Sequence, residues 1–230
     1  MNSVTEPPSR SDSVWNFPTT DEHRWTRIFK TLGFLLLFLI PATIQASLPD
    51  WENQHVLEIN REPVRSSFVP FPSAAAALHD ENTNSPFFLS LDGTWKFHWV
   101  PSPDLRPTNF FLTDFDDSNW TNIEVPSCVE MQGYGIPIYV SSGYPFKIDP
   151  PRVLDAPPTN YTAFKTRDPV SSYRRTFELP SLWNHRRVFV HFDGVDSAFY
   201  LWINGQRVGY SQNSRSPAEF DVTDFVKPGA

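Results

Sequence analysis

The stretch HFDGVDSAFYLWINGQRVGYSQNSRSP, His191 to Pro217, decides the fold. Its centre joins an apolar run, Ser197–Ile203, to a second strand-like run, Gln206–Tyr210, through Asn204-Gly205. Asn-Gly is a strong hairpin signal, because both residues tolerate the positive φ angles of a type I′ turn. The stretch therefore predicts a β-hairpin followed by a polar exit segment.

Two other segments alternate between apolar and polar residues, GTWKFHWV (Gly93–Val100) and SYRRTFELP (Ser172–Pro180). The residues that share one face in each are Trp95, Phe97 and Trp99 in the first and Tyr173, Arg175, Phe177 and Leu179 in the second. This alternation is typical of a strand with one buried face. The 23 prolines argue against long helices. The chain is therefore predicted to be all-β, an antiparallel β-sandwich of jelly-roll type.

Composition narrows the class of protein. The net charge is −7 without any dense run of Lys and Arg, which argues against a nucleic-acid partner. The 20 Phe and 8 Trp residues supply core area, and rings of this kind also form flat platforms for sugars. Cys128 is the one cysteine and cannot form an internal disulfide. We expect it to be buried and inert.

The amino-terminal segment has the order of a secretory signal. Basic residues at Arg24, Arg27 and Lys30 precede the apolar run Thr31–Ile40, and small residues follow. Cleavage is expected after Ala46, with export to the periplasm or the outside of the cell. The alternative is a retained signal anchor spanning Thr31 to Pro49, close to the roughly 20 residues that cross a bilayer.

The chain is predicted to have three parts. Residues 1–46 form the leader and signal, residues 47–86 form an extended arm, and residues 87–230 form the sandwich. Within the arm, Ala74–Leu78 suits one helical turn. The final Pro-Gly-Ala resembles a turn before a further strand, so the sandwich is expected to be incomplete at its carboxyl end, with an exposed edge.

Five pieces of sequence together carry a family resemblance. They occur in the order LDGTWKF (Leu91–Phe97), FDDSNWTNIEVPSCVEMQGYGIPIYVSSGYPF (Phe115–Phe146), Pro150-Pro151, YRRTFELP (Tyr173–Pro180) and the segment from His191 to Phe225. The chain thus resembles the amino-terminal sugar-binding domain of glycoside hydrolase family 2, and within it the large β-galactosidases.

The resemblance implies a retaining glycosidase, whose mechanism needs two carboxylates about 5 Å apart. In the family both lie in a later TIM-barrel domain, for which this chain has no room, so no catalytic residue is assigned here. We expect the 230-residue chain alone not to hydrolyse a galactoside. The implied partners are a β-galactoside, the missing catalytic domain and a second copy in a homo-oligomer. Magnesium and sodium ions belong to the full-length enzymes, and no cofactor or metal is assigned to this chain.

The resemblance also points to one sugar-contacting loop, which follows Pro137-Ile138-Tyr139. Many relatives have an asparagine two residues after that tyrosine, in contact with the sugar. This chain has Ser141 there, followed by Ser142. A serine hydroxyl can bond a sugar hydroxyl with a shorter reach, which makes both serines candidate substrate-binding residues. The alternative is that they are turn residues.

The acidic residues and histidines predict neither a catalytic carboxylate pair nor a metal site in this chain. The acidic clusters are Asp114, Asp116 and Asp117, and Glu219, Asp221 and Asp224. Neither has an apolar neighbourhood that would separate two pKa values, so we interpret both as solvated loop charges. The histidines at 79, 98, 185 and 191 lack the spacing of a metal site.

Three functions stay open from the sequence. The first is the front portion of an exported β-galactosidase. The second is a stand-alone carbohydrate-binding module of lectin type. The third is a membrane-anchored interaction domain, if Thr31–Pro49 is retained.

Overall fold

Antiparallel strands make up most of the regular structure. The computed structural model describes residues 48–79, 81–137 and 168–229. Its strands are β1 (Glu58–Ile59), β2 (Gly93–Val100), β3 (Thr121–Val125), β4 (Val170–Arg174), β5 (Phe189–Phe192), β6 (Phe199–Ile203), β7 (Gln206–Ser211) and β8 (Ala218–Asp221). One short α-helix in these ranges, α1 (Ala74–His79), contains the helical turn predicted in the arm. The all-β prediction is confirmed, and the strand content is consistent with a β-sandwich.

The predicted leader and signal, residues 1–46, lie outside the described residues, as does all but the end of the alternative anchor. Among the residues that are described, no helix is long and apolar enough to cross a membrane.

The strands form three groups. One sheet has the order β1-β7-β6, a second has the order β3-β2-β4, and β5 pairs with β8. All of these pairs are antiparallel.

The predicted hairpin is the turn between β6 and β7. Asn204 and Gly205 have φ angles of 50° and 81°, and Ile203 pairs with Gln206 across the turn. The prediction from Asn-Gly is therefore confirmed.

The predicted strand over Ser172–Pro180 is confirmed only in its first part. β4 begins earlier, at Val170, and ends at Arg174. Phe177 and Leu179 still lie on the inner side, while Thr176 and Glu178 are exposed. Burial alternates as in a strand, but within the described residues no strand pairs with Arg175–Leu179.

The main core lies between the β6–β7 hairpin and the β5–β8 pair. Its buried residues are Leu179, Val188, Ile203, Val208, Ala218, Phe220 and Val222. Phe199 and Leu201 of β6 pack against this cluster. A second set of buried side chains, which includes Phe97 and Ile123, lies on β2 and β3.

The arm is fixed to the hairpin by a polar cluster. The Asp50 carboxylate accepts hydrogen bonds from the Tyr200 hydroxyl and from Arg207, both at 2.8 Å. Gln212 donates to the backbone oxygen of Val56 at 2.7 Å. Trp51 packs edge-on against Tyr200, with ring centroids 6.2 Å apart. These contacts hold Asp50, Trp51 and Val56 against the β6–β7 hairpin.

The contact between the arm and the hairpin has a pH dependence that can be measured. Burial raises the pKa of Tyr200, and the hydrogen bond to Asp50 and its charge raise that pKa further. The stabilisation from the neutral phenol is therefore complete below the unfolded pKa of tyrosine, about 10, and is lost as the pH rises through the higher folded pKa.

We expect the free energy of unfolding of the wild-type chain to fall more steeply above pH 10 than that of a Tyr200→Phe variant. Urea titrations at a series of pH values measure this difference. Asp50→Asn keeps the phenol without the carboxylate, so its fall should be intermediate. Identical alkaline slopes for the wild type and Tyr200→Phe would contradict the assignment.

Candidate functional site

Aromatic rings form the inner face of β2 and β4. Phe97 is fully buried, and its ring centroid lies 4.6 Å from that of Tyr134 and 4.9 Å from that of Tyr173. Burial raises the pKa of Tyr173, a hydrogen bond with Ser171 opposes that rise, and the charge of Glu130 adds to it. Tyr173 therefore stays a neutral hydroxyl at physiological pH.

The segment Val129–Pro137 lies on this aromatic face and leads toward the predicted sugar loop. A 3-10 turn over Val129–Gln132 ends at Gly133, whose φ of 93° is in the left-handed region that glycine adopts readily. The Tyr134 hydroxyl then lies 2.8 Å from the Thr121 hydroxyl. Gly135 lies over the Trp99 ring, since a Cβ built on it would be 3.7 Å from that ring. These contacts hold the segment that precedes the loop.

The two predicted substrate-binding residues, Ser141 and Ser142, lie outside the described residues. Their role therefore stays a prediction. What the structure adds is the anchoring of the chain up to Pro137, four positions before Ser141.

A hydroxyl pair that fixes this segment can be tested directly. Tyr134→Phe removes the hydroxyl next to Thr121, and we expect a loss of about 1 kcal/mol in the free energy of unfolding. In a double-mutant cycle, Tyr134→Phe should cost less once Thr121→Val is present, because the partner hydroxyl is then gone. Thr94→Val is a control, since the Thr94 hydroxyl bonds the exposed Glu124. Full additivity of the two changes would contradict the pairing.

Arg174 organises the opposite side of the same sheet. Its Nε donates to the Asp117 carboxylate at 2.8 Å, and its Nη1 donates to the backbone oxygens of Phe110 and Leu112. These hydrogen bonds of Arg174 hold a loop in place, and the Phe110 ring of that loop contacts Trp120 and Trp202. Sequence reasoning did not single out Arg174. Its position on the polar face of the alternating stretch Ser172–Pro180 was the available signal.

The first acidic cluster does not form a catalytic pair. Asp117 is bound to Arg174, while Asp114 and Asp116 are exposed. A backbone hydrogen bond from Ser118, with a second from its side chain, lowers the pKa of Asp116. A general acid needs a raised pKa, so Asp116 is unsuited to that role.

The second acidic cluster corrects one prediction. Glu219 and Asp221 are not solvated loop charges, because they lie on β8 and their side chains form ion pairs with Arg65 and Arg187. The alternation of β8 is the reason, since it buries Ala218 and Phe220 and turns the two acids outward. Asp224, in the following turn, is exposed as predicted.

The ion pair with Arg187 affects the pKa of Asp221. Burial raises the pKa of this carboxyl, but hydrogen bonds from Thr223 and Arg187 and the charge of Arg187 outweigh burial and lower it overall. Asp221 is therefore ionised at neutral pH and bridges β8 to Arg187. This arrangement stabilises the fold and does not create a proton donor.

His98 and His191 contact different neighbours. His98 stacks on Trp120 at 5.3 Å, and His191 lies 3.2 Å from Glu219. In the described ranges, no three His, Cys, Asp or Glu side chains are placed to hold a metal ion.

Cys128 is exposed, so the prediction of a buried cysteine is wrong. It directly precedes the 3-10 turn at Val129, on the surface rather than in the core.

A family model described as "Glycosyl hydrolases family 2, sugar binding domain" matches residues 88–230. The chain belongs to glycosyl hydrolase family 2. The resemblance inferred from the ordered sequence pieces is therefore confirmed.

Relatives of this family-2 chain include two proteins named "Beta-galactosidase". The one from Priestia megaterium is 38% identical over 186 residues, which cover 79% of this chain and 17% of the relative. The one from Psychromonas ingrahamii is 43% identical over 180 residues, which cover 78% of this chain and 16% of the relative. The chain thus spans about one-sixth of the length of these relatives.

Solved structures also resemble this family-2 chain. One is a β-glucuronidase from Ruminococcus gnavus in complex with D-glucuronic acid. It is 17% identical, with a TM-score of 0.39, over 62% of this chain and 20% of that chain.

Proposed function

We propose that this chain is the front portion of an exported β-galactosidase and supplies the sugar-binding scaffold of that enzyme. The observation that carries the proposal is the identity of 38% and 43% to proteins named β-galactosidase over almost four-fifths of this chain. A family-2 sugar-binding domain over residues 88–230 agrees with it.

In this proposal the sandwich positions a loop and does no covalent chemistry. Retaining hydrolysis needs a nucleophile and an acid/base carboxylate about 5 Å apart, which a catalytic barrel outside this chain supplies. The carboxylates of β8 are committed to ion pairs with Arg65 and Arg187. The segment Val129–Pro137 is anchored through Tyr134 and Gly135 and supports the chain four positions before Ser141, the residue proposed to contact the sugar.

The proposal also covers the topology of the sandwich and the export of the protein. The sandwich has jelly-roll topology, supported by the antiparallel pairing of all its strands. Residues 1–46 are a leader that is cleaved after Ala46, supported by the basic, apolar and small-residue order of that segment. Amino-terminal sequencing of the exported protein tests the cleavage. A mature protein that still begins before Thr31 and fractionates with membranes would indicate the anchor instead.

A chimera tests the role of the loop. Residues 48–230 replace the matching segment of the Priestia megaterium β-galactosidase, and hydrolysis of a chromogenic galactoside is measured. In this chimera Ser141→Asn should lower KM about fivefold, because the longer amide side chain restores a hydrogen bond to the sugar.

Ser142→Asn places the amide one position away, so it should lower KM by less than Ser141→Asn. Equal effects of the two substitutions on KM would indicate that both serines are turn residues. The unfused 230-residue chain is measured in parallel, with no turnover expected.

A further inference from the structure

A cavity of about 380 Å³ lies beside the start of β5. Its lining includes Trp183, His185, Arg186, Arg187, Val188 and Thr223. Val188 belongs to the core cluster and is 5% exposed, so the cavity reaches the core. Its volume is near the lower end of the roughly 300–1,000 Å³ that small-molecule sites occupy, which suits a small ligand.

The lining of this cavity is cationic, although the chain as a whole has a net charge of −7. It includes two arginines and a histidine, and no Asp or Glu is among the described residues that line it. A cleft lined by one sign of charge attracts ligands of the opposite sign. The cavity is therefore suited to an anion.

Arg186 has hydrogen-bond donors that no described residue accepts. Its guanidinium lies over the Phe87 ring, 4.2 Å from the ring centroid. Stacking of this kind engages the face of the planar group, whereas its five N–H donors lie in the plane. Within the described ranges the Arg186 side chain forms no hydrogen bond or ion pair. Its donors are therefore available to the oxygen atoms of a bound anion.

Arg187 is held at the cavity by Asp221. Its Nε and Nη2 both donate to the same carboxylate oxygen of Asp221, at 3.0 and 2.8 Å. Nη2 also lies 3.8 Å from the Glu62 carboxylate. These two acids offset the charge of Arg187, but its Nη1 has no partner among the described residues. Arg187 can thus donate a further hydrogen bond, while Arg186 supplies the uncompensated charge.

The wall of the cavity is fixed by contacts within the chain. His185 has a φ of 62°, in the left-handed region that is uncommon for residues other than glycine. The Arg186 amide donates to the Trp183 backbone oxygen at 3.1 Å, and the Trp183 indole donates to the Pro86 backbone oxygen at 2.8 Å. Backbone strain that neighbours hold in place is frequent at binding sites. A wall ordered in advance also lowers the entropy cost of binding.

We propose that this cavity binds a small ligand through an oxyanion group, a carboxylate or a phosphate. Arg186 and Nη1 of Arg187 are the hydrogen-bond donors, and the Trp183 ring is an apolar wall. The oxyanion is either free or the acidic group of a sugar, since both present the same oxygens to the guanidinium groups. The inference concerns this cavity alone and does not depend on the Ser141 loop or on galactoside hydrolysis.

Calorimetric titration of the full chain tests the proposal with inorganic phosphate, D-galacturonate and D-galactose at constant ionic strength. Galactose is the matched control for galacturonate, because it lacks the carboxylate. Arg186→Ala removes the proposed donor, and Arg186→Lys keeps its charge without the planar group. Arg215→Ala is the control variant, because it removes the same charge from an exposed side chain outside the lining.

We expect at least one of the two anions to bind, and galactose to give no binding heat at the same concentration. Arg186→Ala should weaken anion binding by at least about tenfold, the effect of losing a hydrogen bond to a charged group. Arg186→Lys should weaken it less, and Arg215→Ala should leave it nearly unchanged because exposed charges are screened. Tighter binding of galacturonate than of phosphate identifies an acidic sugar as the ligand, and the reverse order identifies a free oxyanion.

Three results would overturn the proposal. The first is no binding of either anion at concentrations up to about 10 mM. The second is equal weakening by Arg186→Ala and Arg215→Ala, and the third is equal binding of galactose and galacturonate. The chimera with the Priestia megaterium enzyme is titrated in the same way. If Arg186→Ala has no effect on anion binding there, the cavity is not a site in the longer protein and the proposal fails.

Discussion

Gly209→Ala is expected to lower the free energy of unfolding by about 3 kcal/mol or more. A Cβ at this position would lie 2.5 Å from the Ile59 backbone oxygen and 2.5 Å from Cε1 of Phe220. The first contact is with β1, which pairs with β7, and the second is with a fully buried ring. Neither neighbour can move without disturbing the arm or the core, so the loss should be large.

Urea denaturation of Gly209→Ala and of a matched Gly194→Ala variant measures the effect. A Cβ at Gly194 would have its nearest neighbour, the Ser214 backbone oxygen, at 3.4 Å, so this control should change stability little. Similar stabilities for the two variants would contradict the close packing of β1 and Phe220 on Gly209.

Phe97→Ala is expected to cost about 3–5 kcal/mol, the range for truncating a buried aromatic ring. The Phe97 side chain is 0% exposed and lies under Tyr134 and Tyr173. The resulting cavity also removes the surface on which the segment Val129–Pro137 rests. We therefore expect both a lower free energy of unfolding and faster amide exchange in that segment.

Phe68→Ala is the control, because Phe68 is 69% exposed and belongs to the arm. Its truncation should change the free energy of unfolding by less than about 1 kcal/mol. If Phe97→Ala destabilised the chain without affecting exchange in Val129–Pro137, the aromatic face would not be the support of that segment.

Local signals predicted the parts of the fold that depend on few residues. Asn204-Gly205 determines its turn because the required φ values are intrinsic to those two residues. The alternation in β2 identified Phe97 as buried for the same reason. The end of β4 at Arg174 was not predictable, because it depends on a neighbouring strand rather than on the sequence of Arg175–Leu179.

Contacts between distant residues explain what was missed at the candidate site. The Arg174–Asp117 ion pair joins residues 57 positions apart, and the Tyr200–Asp50 hydrogen bond joins residues 150 apart. No local pattern encodes such partners. Ser141 was reached through family resemblance alone, whereas the support from Tyr134 and Gly135 became visible only in the structure. The outward acids of β8 were misassigned because the strand is only four residues long.

The proposed role of this chain as the sugar-binding scaffold of a β-galactosidase is tested most directly by kcat/KM of the chimera with the Priestia megaterium enzyme. The proposal predicts that the chimera hydrolyses a chromogenic β-galactoside, with at least about a tenfold preference over the matching β-glucuronide. The same chimera with Gly209→Ala should lose that activity as the sandwich unfolds, while Gly194→Ala keeps it. A folded chimera with no galactoside turnover, or with a preference for the glucuronide, would contradict the proposal.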